Sequence, residues 1–152
     1  MIRVRFAGCV LAAGTVAACA PTAERVTDEV PVIATSSQPP PSETLTPLLR
    51  QALPNVKGKT FTSAVVSFPP AARAAPHRHG KAFVYAYVLE GTLRSRLEGE
   101  PVRTYRKGEN WVEQPGAHHL LTENTSQTQP ARLLVVFISD TGDKLKVDDR
   151  PK

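Results

Sequence analysis

The four histidines of the chain fall in two pairs, His77 with His79 and His118 with His119. Neutral imidazole is the commonest side-chain ligand of transition metals. Residues two apart on an extended strand project to the same side, so His77 and His79 can aim both rings at one point. A third imidazole from another strand would complete a facial set, with positions left open for a substrate. A solvated surface turn is the plainer alternative for the first pair, and Arg78 between the two rings suits it. Other reactive chemistry is sparse. The cysteines are Cys9 and Cys19, one in a segment expected to be removed and one expected to be consumed by lipid, which excludes cysteine catalysis and cysteine-based zinc sites. No residue is assigned a catalytic role, although Glu113, near the second pair, is the closest acid that could serve as a base.

The segments that must position these imidazoles read as short strands. Thr60 to Phe68 is β-branched and apolar and stops at Pro69-Pro70, and Phe83 to Leu89 ends at Glu90-Gly91. Thr92 to Leu97 alternates Leu93 and Leu97 with Arg94 and Arg96, and Val102 to Arg106 follows the Gly99 to Pro101 turn. Trp111 to Glu113, His118 to Thr122 and Arg132 to Ser139 complete the set. Regularly spaced strands with Gly/Pro punctuation predict an all-β sandwich or barrel, and the lack of strand–helix alternation argues against a parallel α/β sheet. Ahead of them, Leu45, Leu48, Leu49 and Leu53 share one side of a helix, so Thr46 to Leu53 is expected to form one or two helical turns.

Two stretches carry a family resemblance. Pro76-His77-Arg78-His79 is followed, after seven residues, by Tyr87-Val88-Leu89-Glu90-Gly91. Sixteen residues further on, Gly108-Glu109-Asn110-Trp111 leads into Gln114-Pro115-Gly116-Ala117-His118-His119 and then Asn124. These resemble, in order, the first and second motifs of the cupin superfamily, and the resemblance spans roughly residues 60 to 139. It implies a single double-stranded β-helix, a jelly-roll-like barrel of antiparallel strands with an internal pocket. It also implies a metal site at His77, His79 and His119, since counting from Gly116 selects His119 and turns His118 away. The ion would be divalent, with Fe, Mn, Ni and Zn all open. The usual glutamate ligand, seven residues before the closing glycine of the first motif, is here Val84. Some iron-dependent cupin dioxygenases use three histidines, so the loss does not abolish the site. Without a carboxylate, affinity should be modest and should fall as the imidazoles protonate at about pH 6 to 7.

Two functions follow from the resemblance. One is a metal-dependent, quercetin-dioxygenase-like oxygenase acting on a small molecule; the other is a non-catalytic cupin that captures a small ligand or a metal. Among the remaining residues, Trp111 is expected to pack rather than stack a ligand. Tyr85 and Tyr87 are expected on the face opposite Val84, and Asn124, one residue late for the motif asparagine, either in a turn or supporting a ligand from behind rather than ligating.

The N-terminus predicts location. Arg3 and Arg5 precede the uncharged run Phe6 to Ala18, which at 13 residues is too short to span a bilayer as a helix. It closes on Val16-Ala17-Ala18-Cys19, which resembles a bacterial lipobox and implies acylation of Cys19. Residues 1–18 then form a lipoprotein signal peptide, 19–47 a Pro-rich flexible tether and 48–152 the barrel domain. Ala20 in place of aspartate favours the outer membrane, on the periplasmic side of the cell envelope. Losing Arg3 and Arg5 lowers the formal net charge from +5 to +3, with no basic stripe of the kind nucleic-acid binding needs. The expected partners are a small molecule and a membrane, and the apolar strand faces permit a homodimer. In fractionated cells, the wild type is expected with the membranes and Cys19→Ala in the soluble fraction; two fully soluble forms would contradict the anchor.

Overall fold

The computed structural model describes residues 41–150. The expected signal peptide, Cys19 and the expected tether up to residue 40 lie outside the described residues. Eleven strands run in chain order: β1 Thr44–Ala52, β2 Lys59–Phe68, β3 Arg73–Ala74, β4 His77–Arg78, β5 Phe83–Glu90, β6 Thr92–Leu97, β7 Arg103–Arg106, β8 Asn110–Glu113, β9 His118–Asn124, β10 Ala131–Asp140 and β11 Val147–Asp148. All pair antiparallel. One sheet has the order β1-β2-β10-β5-β8, and the other β11-β4-β9-β6-β7, with β3 also on β9. No helix occurs among the described residues. The strand grammar implied an all-β sandwich or barrel, and the antiparallel pairing agrees with the double-stranded β-helix that the cupin resemblance implied.

Period-two alternation sets the core. Ala64, Val66 and Phe68 of β2, Val84, Ala86 and Val88 of β5, and Leu133, Val135 and Phe137 of β10 are all buried. They line up across the sheet: Val135 opposes Ala64 on one side and Ala86 on the other. Leu93 and Trp111 are buried with them. Tyr85 and Tyr87 sit half-buried on the outer face, as their offset from Val84 implied.

The helical expectation for Thr46 to Leu53 is overturned. All of these residues but Leu53 lie in β1, which pairs with β2 from Thr44↔Ser67 to Ala52↔Thr60. The register slips between Pro47 and Leu49, and this bulge explains why the leucine spacing imitates a helix. Pro47 has no N–H to give a central ladder, and β1 is an edge strand, where that loss is tolerated. Leu45, Leu48 and Leu49 remain exposed, and of these only Leu45 reaches the cavity. The strand also begins at Thr44, inside the stretch assigned to the tether, so the ordered domain starts earlier than residue 48.

Between β5 and β6 the chain turns on Gly91 with φ of 74°. A Cβ there would stand 2.8 Å from the Pro130 carbonyl oxygen and 2.9 Å from Ala131. Gly91→Ala is therefore expected to destabilise the fold by at least roughly 1–2 kcal/mol from the dihedral alone, measured by urea unfolding. A variant as stable as wild type would show that the turn can relax.

Candidate metal centre

Only two residues long, β4 is held from both sides. His77 opposes His119 on β9, while Arg78 opposes Val147 on β11. Gly80 then turns the chain, and its carbonyl accepts a 2.7 Å hydrogen bond from the Gly116 N–H of the Pro-Gly turn. That bond ties the loop after the first histidine pair to the loop before the second. His77 and His119 face inward and are buried, and His79 is nearly so.

Ring nitrogens of His77, His79 and His119 lie within 4.8 Å of one another, and the group can hold a metal ion. Two ligands of one ion stand at most about 4.2 Å apart, twice a metal–nitrogen bond of about 2.1 Å. The limit of 4.8 Å exceeds that by about 0.6 Å, a closure within reach of side-chain rotation.

The hydrogen bonds assign the tautomers of the first pair. His77 Nδ1–H donates to the Ala75 carbonyl at 2.7 Å, and His79 Nδ1–H donates to the Leu145 carbonyl at 2.5 Å. A carbonyl can only accept, so each neutral ring carries its proton on Nδ1 and a lone pair on Nε2. Those two Nε2 atoms stand 3.1 Å apart. Burial pushes the His77 pKa down to about 4, and burial also lowers that of His79, partly opposed by the charge of Glu113. Both rings are thus neutral and free to ligate at neutral pH.

His119 is held differently. Its Nε2 lies 2.8 Å from both Ser95 Oγ and Thr122 Oγ1, and its Nδ1 lies 3.0 Å from Glu113 Oε1. Trp111 stands edge-on to the ring at 6.2 Å between centroids and donates from Nε1 to Glu113 Oε1 at 3.2 Å. Glu113 is 3% exposed, and its Oε2 has no hydrogen-bond donor while lying 3.6 Å from His79 Nε2. Burial raises the Glu113 pKa, but the His119 hydrogen bond and the electrostatic pull of the His119 and His79 rings beside it outweigh this and hold the carboxyl below its usual range.

These groups open into a cavity of about 230 Å³, walled by Val66, Phe68, Val84, Leu133, Val135 and Phe137. His118 is turned away and donates from Nε2 to Asp149 at 2.8 Å. Asn124 is the last residue of β9 rather than a turn residue, and it fastens the loop that follows: its Nδ2 donates to the carbonyls of Phe68, Pro69 and Gln129, and its Oδ1 accepts from Ser126 N–H. Trp111 packs, tilted on Tyr105 at 4.7 Å, and also lines the cavity. The sequence reading missed Ser95 and Thr122. For Ser95 a signal existed, since it shares the inward parity of Leu93 between two arginines. The site also contains an acid after all, though not at Val84.

Residues 64–137 match the family described as Cupin domain. The cupin domain of Schizosaccharomyces pombe Cnp3 aligns with a TM-score of 0.54 at 17% identity, over 65% of this chain and 62% of that one. A recombinant oxalate oxidase in complex with glycolate gives 0.52 at 24%, over 66% and 52%. The DMSP lyase DddQ from Ruegeria pomeroyi DSS-3 gives 0.56 at 22%, over 69% and 50%. The aligned part thus spans from 50% to 62% of those chains. No curated protein sequence matches the chain. At such identities the likeness shows the fold, which is that of a cupin.

The expectation that all the imidazoles titrate at about pH 6 to 7 fails for His77. The unfolded chain takes up this proton near 6.5 and the folded chain only near 4. Between those values the unfolded state binds more protons, so stability is lost as pH falls through this window and is fully present above it. The urea midpoint of the metal-free protein is expected to fall from pH 6.5 to 4, and His77→Gln to flatten that slope. An unchanged slope would mean that His77 titrates normally.

Proposed function

We propose that this cupin domain binds one divalent transition metal ion through His77, His79 and His119 and presents it to a small, largely apolar molecule in the adjoining cavity. The observation that carries the reading is the 3.1 Å contact between His77 Nε2 and His79 Nε2. With both Nδ1 protons spent on carbonyls, two lone pairs face each other in a buried site, and neither ring has a proton to share. Two buried acceptors at that distance repel unless a cation stands between them. A proton would serve only if one ring became charged, which burial of both rings opposes. A divalent ion satisfies both without charging either ring.

A bound ion would supply a Lewis-acidic centre. The chain's own contribution is to orient the imidazoles through the Ala75 and Leu145 carbonyls and to surround the site with apolar walls that exclude water. At about 230 Å³ the cavity is below the ordinary range for drug-sized ligands, so its occupant is small. Oxalate oxidase and DMSP lyase, enzymes whose names give small-molecule substrates, share the fold, which supports an oxygenase-like or lyase-like enzyme at this site. A second reading, a binding module without catalysis, is favoured by His119. Both its nitrogens are engaged, by Ser95 and Thr122 on one side and Glu113 on the other, which leaves two free Nε2 atoms rather than three. Acylation of Cys19 would place either activity on the periplasmic side of the envelope.

Metal analysis of protein purified without chelators, near pH 8, tests the reading. One divalent ion per chain is expected for the wild type and for His118→Ala, and loss of the ion from His77→Ala, His79→Ala and His119→Ala. A wild type that takes up no transition metal would overturn it. Retention by His119→Ala alone would reduce the site to the first pair.

A further inference from the structure

We propose that Glu113 is the carboxylate ligand of this metal centre, supplied by β8 in place of the acid that β5 lacks at Val84. The proposal rests on the metal-binding reading above and adds a ligand to it.

Strand register is the first ground. Val84 and Glu113 are direct cross-strand partners in the antiparallel pair β5–β8. Directly opposed residues project to the same face, with Cβ atoms about 4.5–5.5 Å apart, so a side chain from either position enters the same part of the barrel. Both line the cavity, and both are almost fully buried. A carboxylate on β8 therefore reaches the space that one on β5 would have reached.

The second ground is how the carboxylate is held. Both its donors, Trp111 Nε1–H and the His119 Nδ1 side, meet Oε1. Oε2 is buried, has no donor at all, and points toward the Nε2 of His79 at 3.6 Å. His79 Nε2 thus faces two other lone-pair atoms, His77 Nε2 at 3.1 Å and Glu113 Oε2 at 3.6 Å, with no proton on either side. An unpaired buried carboxylate oxygen is costly, and hydrogen bonds alone do not remove the cost here. The separations of 3.1 and 3.6 Å are each below the span of about 4.2 Å that a single ion bridges with bonds of about 2.1 Å. The alternative is a positioning role, in which Glu113 only orients His119 through Oε1. That role accounts for Oε1 and leaves Oε2 unexplained.

Cobalt(II) titration of the full-length protein, followed by visible absorption, separates these roles, because the ligand-field bands report the coordinating atoms directly. Glu113→Gln keeps the size of the side chain and an oxygen for Trp111 and His119 but removes the charge. It is expected to weaken Co(II) binding at least tenfold and to shift the bands. The exchange variant Val84→Glu with Glu113→Val, which returns the acid to β5 with its partner's volume, is expected to regain affinity. Weaker binding with unchanged bands in Glu113→Gln would assign Glu113 to positioning His119 and overturn the proposal. So would unchanged affinity, or a folded exchange variant no tighter than Glu113→Gln. If the wild type binds no Co(II), the metal-binding reading falls as well.

Discussion

A cluster of polar acceptors buried in an apolar barrel is the constraint on which the rest of this structure depends. Imidazoles and a carboxylate lose their hydration when Val66, Phe68, Leu133, Val135 and Phe137 close around them. Such groups persist only where fixed partners replace water. Ala75 and Leu145 hold the first two rings by their carbonyls, and Ser95, Thr122 and Glu113 hold the third. Each partner comes from a different part of the chain, so the site exists only when both sheets are assembled.

The supporting framework is asymmetric for that reason. The sheet built on β2, β10 and β5 is long, regular and apolar on its inner face, and it supplies the cavity wall. The second sheet carries most of the polar groups, on β4, β6 and β9, with far shorter pairings. A two-residue strand such as β4 cannot hold two imidazoles in place by its own ladder. The Gly116 N–H to Gly80 carbonyl bond and the β11 pairing complete it. Glu123, clamped between Arg73 and Arg94 on the outer face of β9, fixes the same sheet from outside.

Charge is balanced within this small volume. Burial disfavours the imidazolium forms of His77 and His79 and leaves them as neutral donors. Glu113 stays ionised because His119 and His79 lie against it. A dipositive ion entering such a site meets neutral nitrogens and a single negative charge, a donor set suited to borderline first-row metals. The rest of the cavity lining is mostly apolar, with the Glu43–Lys146 ion pair as a second polar group on it.

The sequence by itself determined much of this. Short β-branched and apolar runs punctuated by Gly and Pro located seven of the strands, among them β5, β6 and β10, and alternation put Tyr85 on the face opposite Val84. Strand parity put His77 and His79 on one side, and the resemblance to the second cupin motif, counted from Gly116, selected His119 over His118. Short pairings escaped it: β3, β4 and β11 have two residues each, too few to show a period. For β1, a bulge at Pro47 made a strand look like a helical face, and only pairing with β2 settles the choice. The nearness of Glu113 to the second histidine pair was legible, but its place opposite Val84 was hidden for a related reason. At 29 residues apart, Val84 and Glu113 share no local motif, and nothing in either segment states that they are opposed. Which residue supplies a buried carboxylate is decided by register between strands, and register is a property of the assembled sheet rather than of any stretch of sequence.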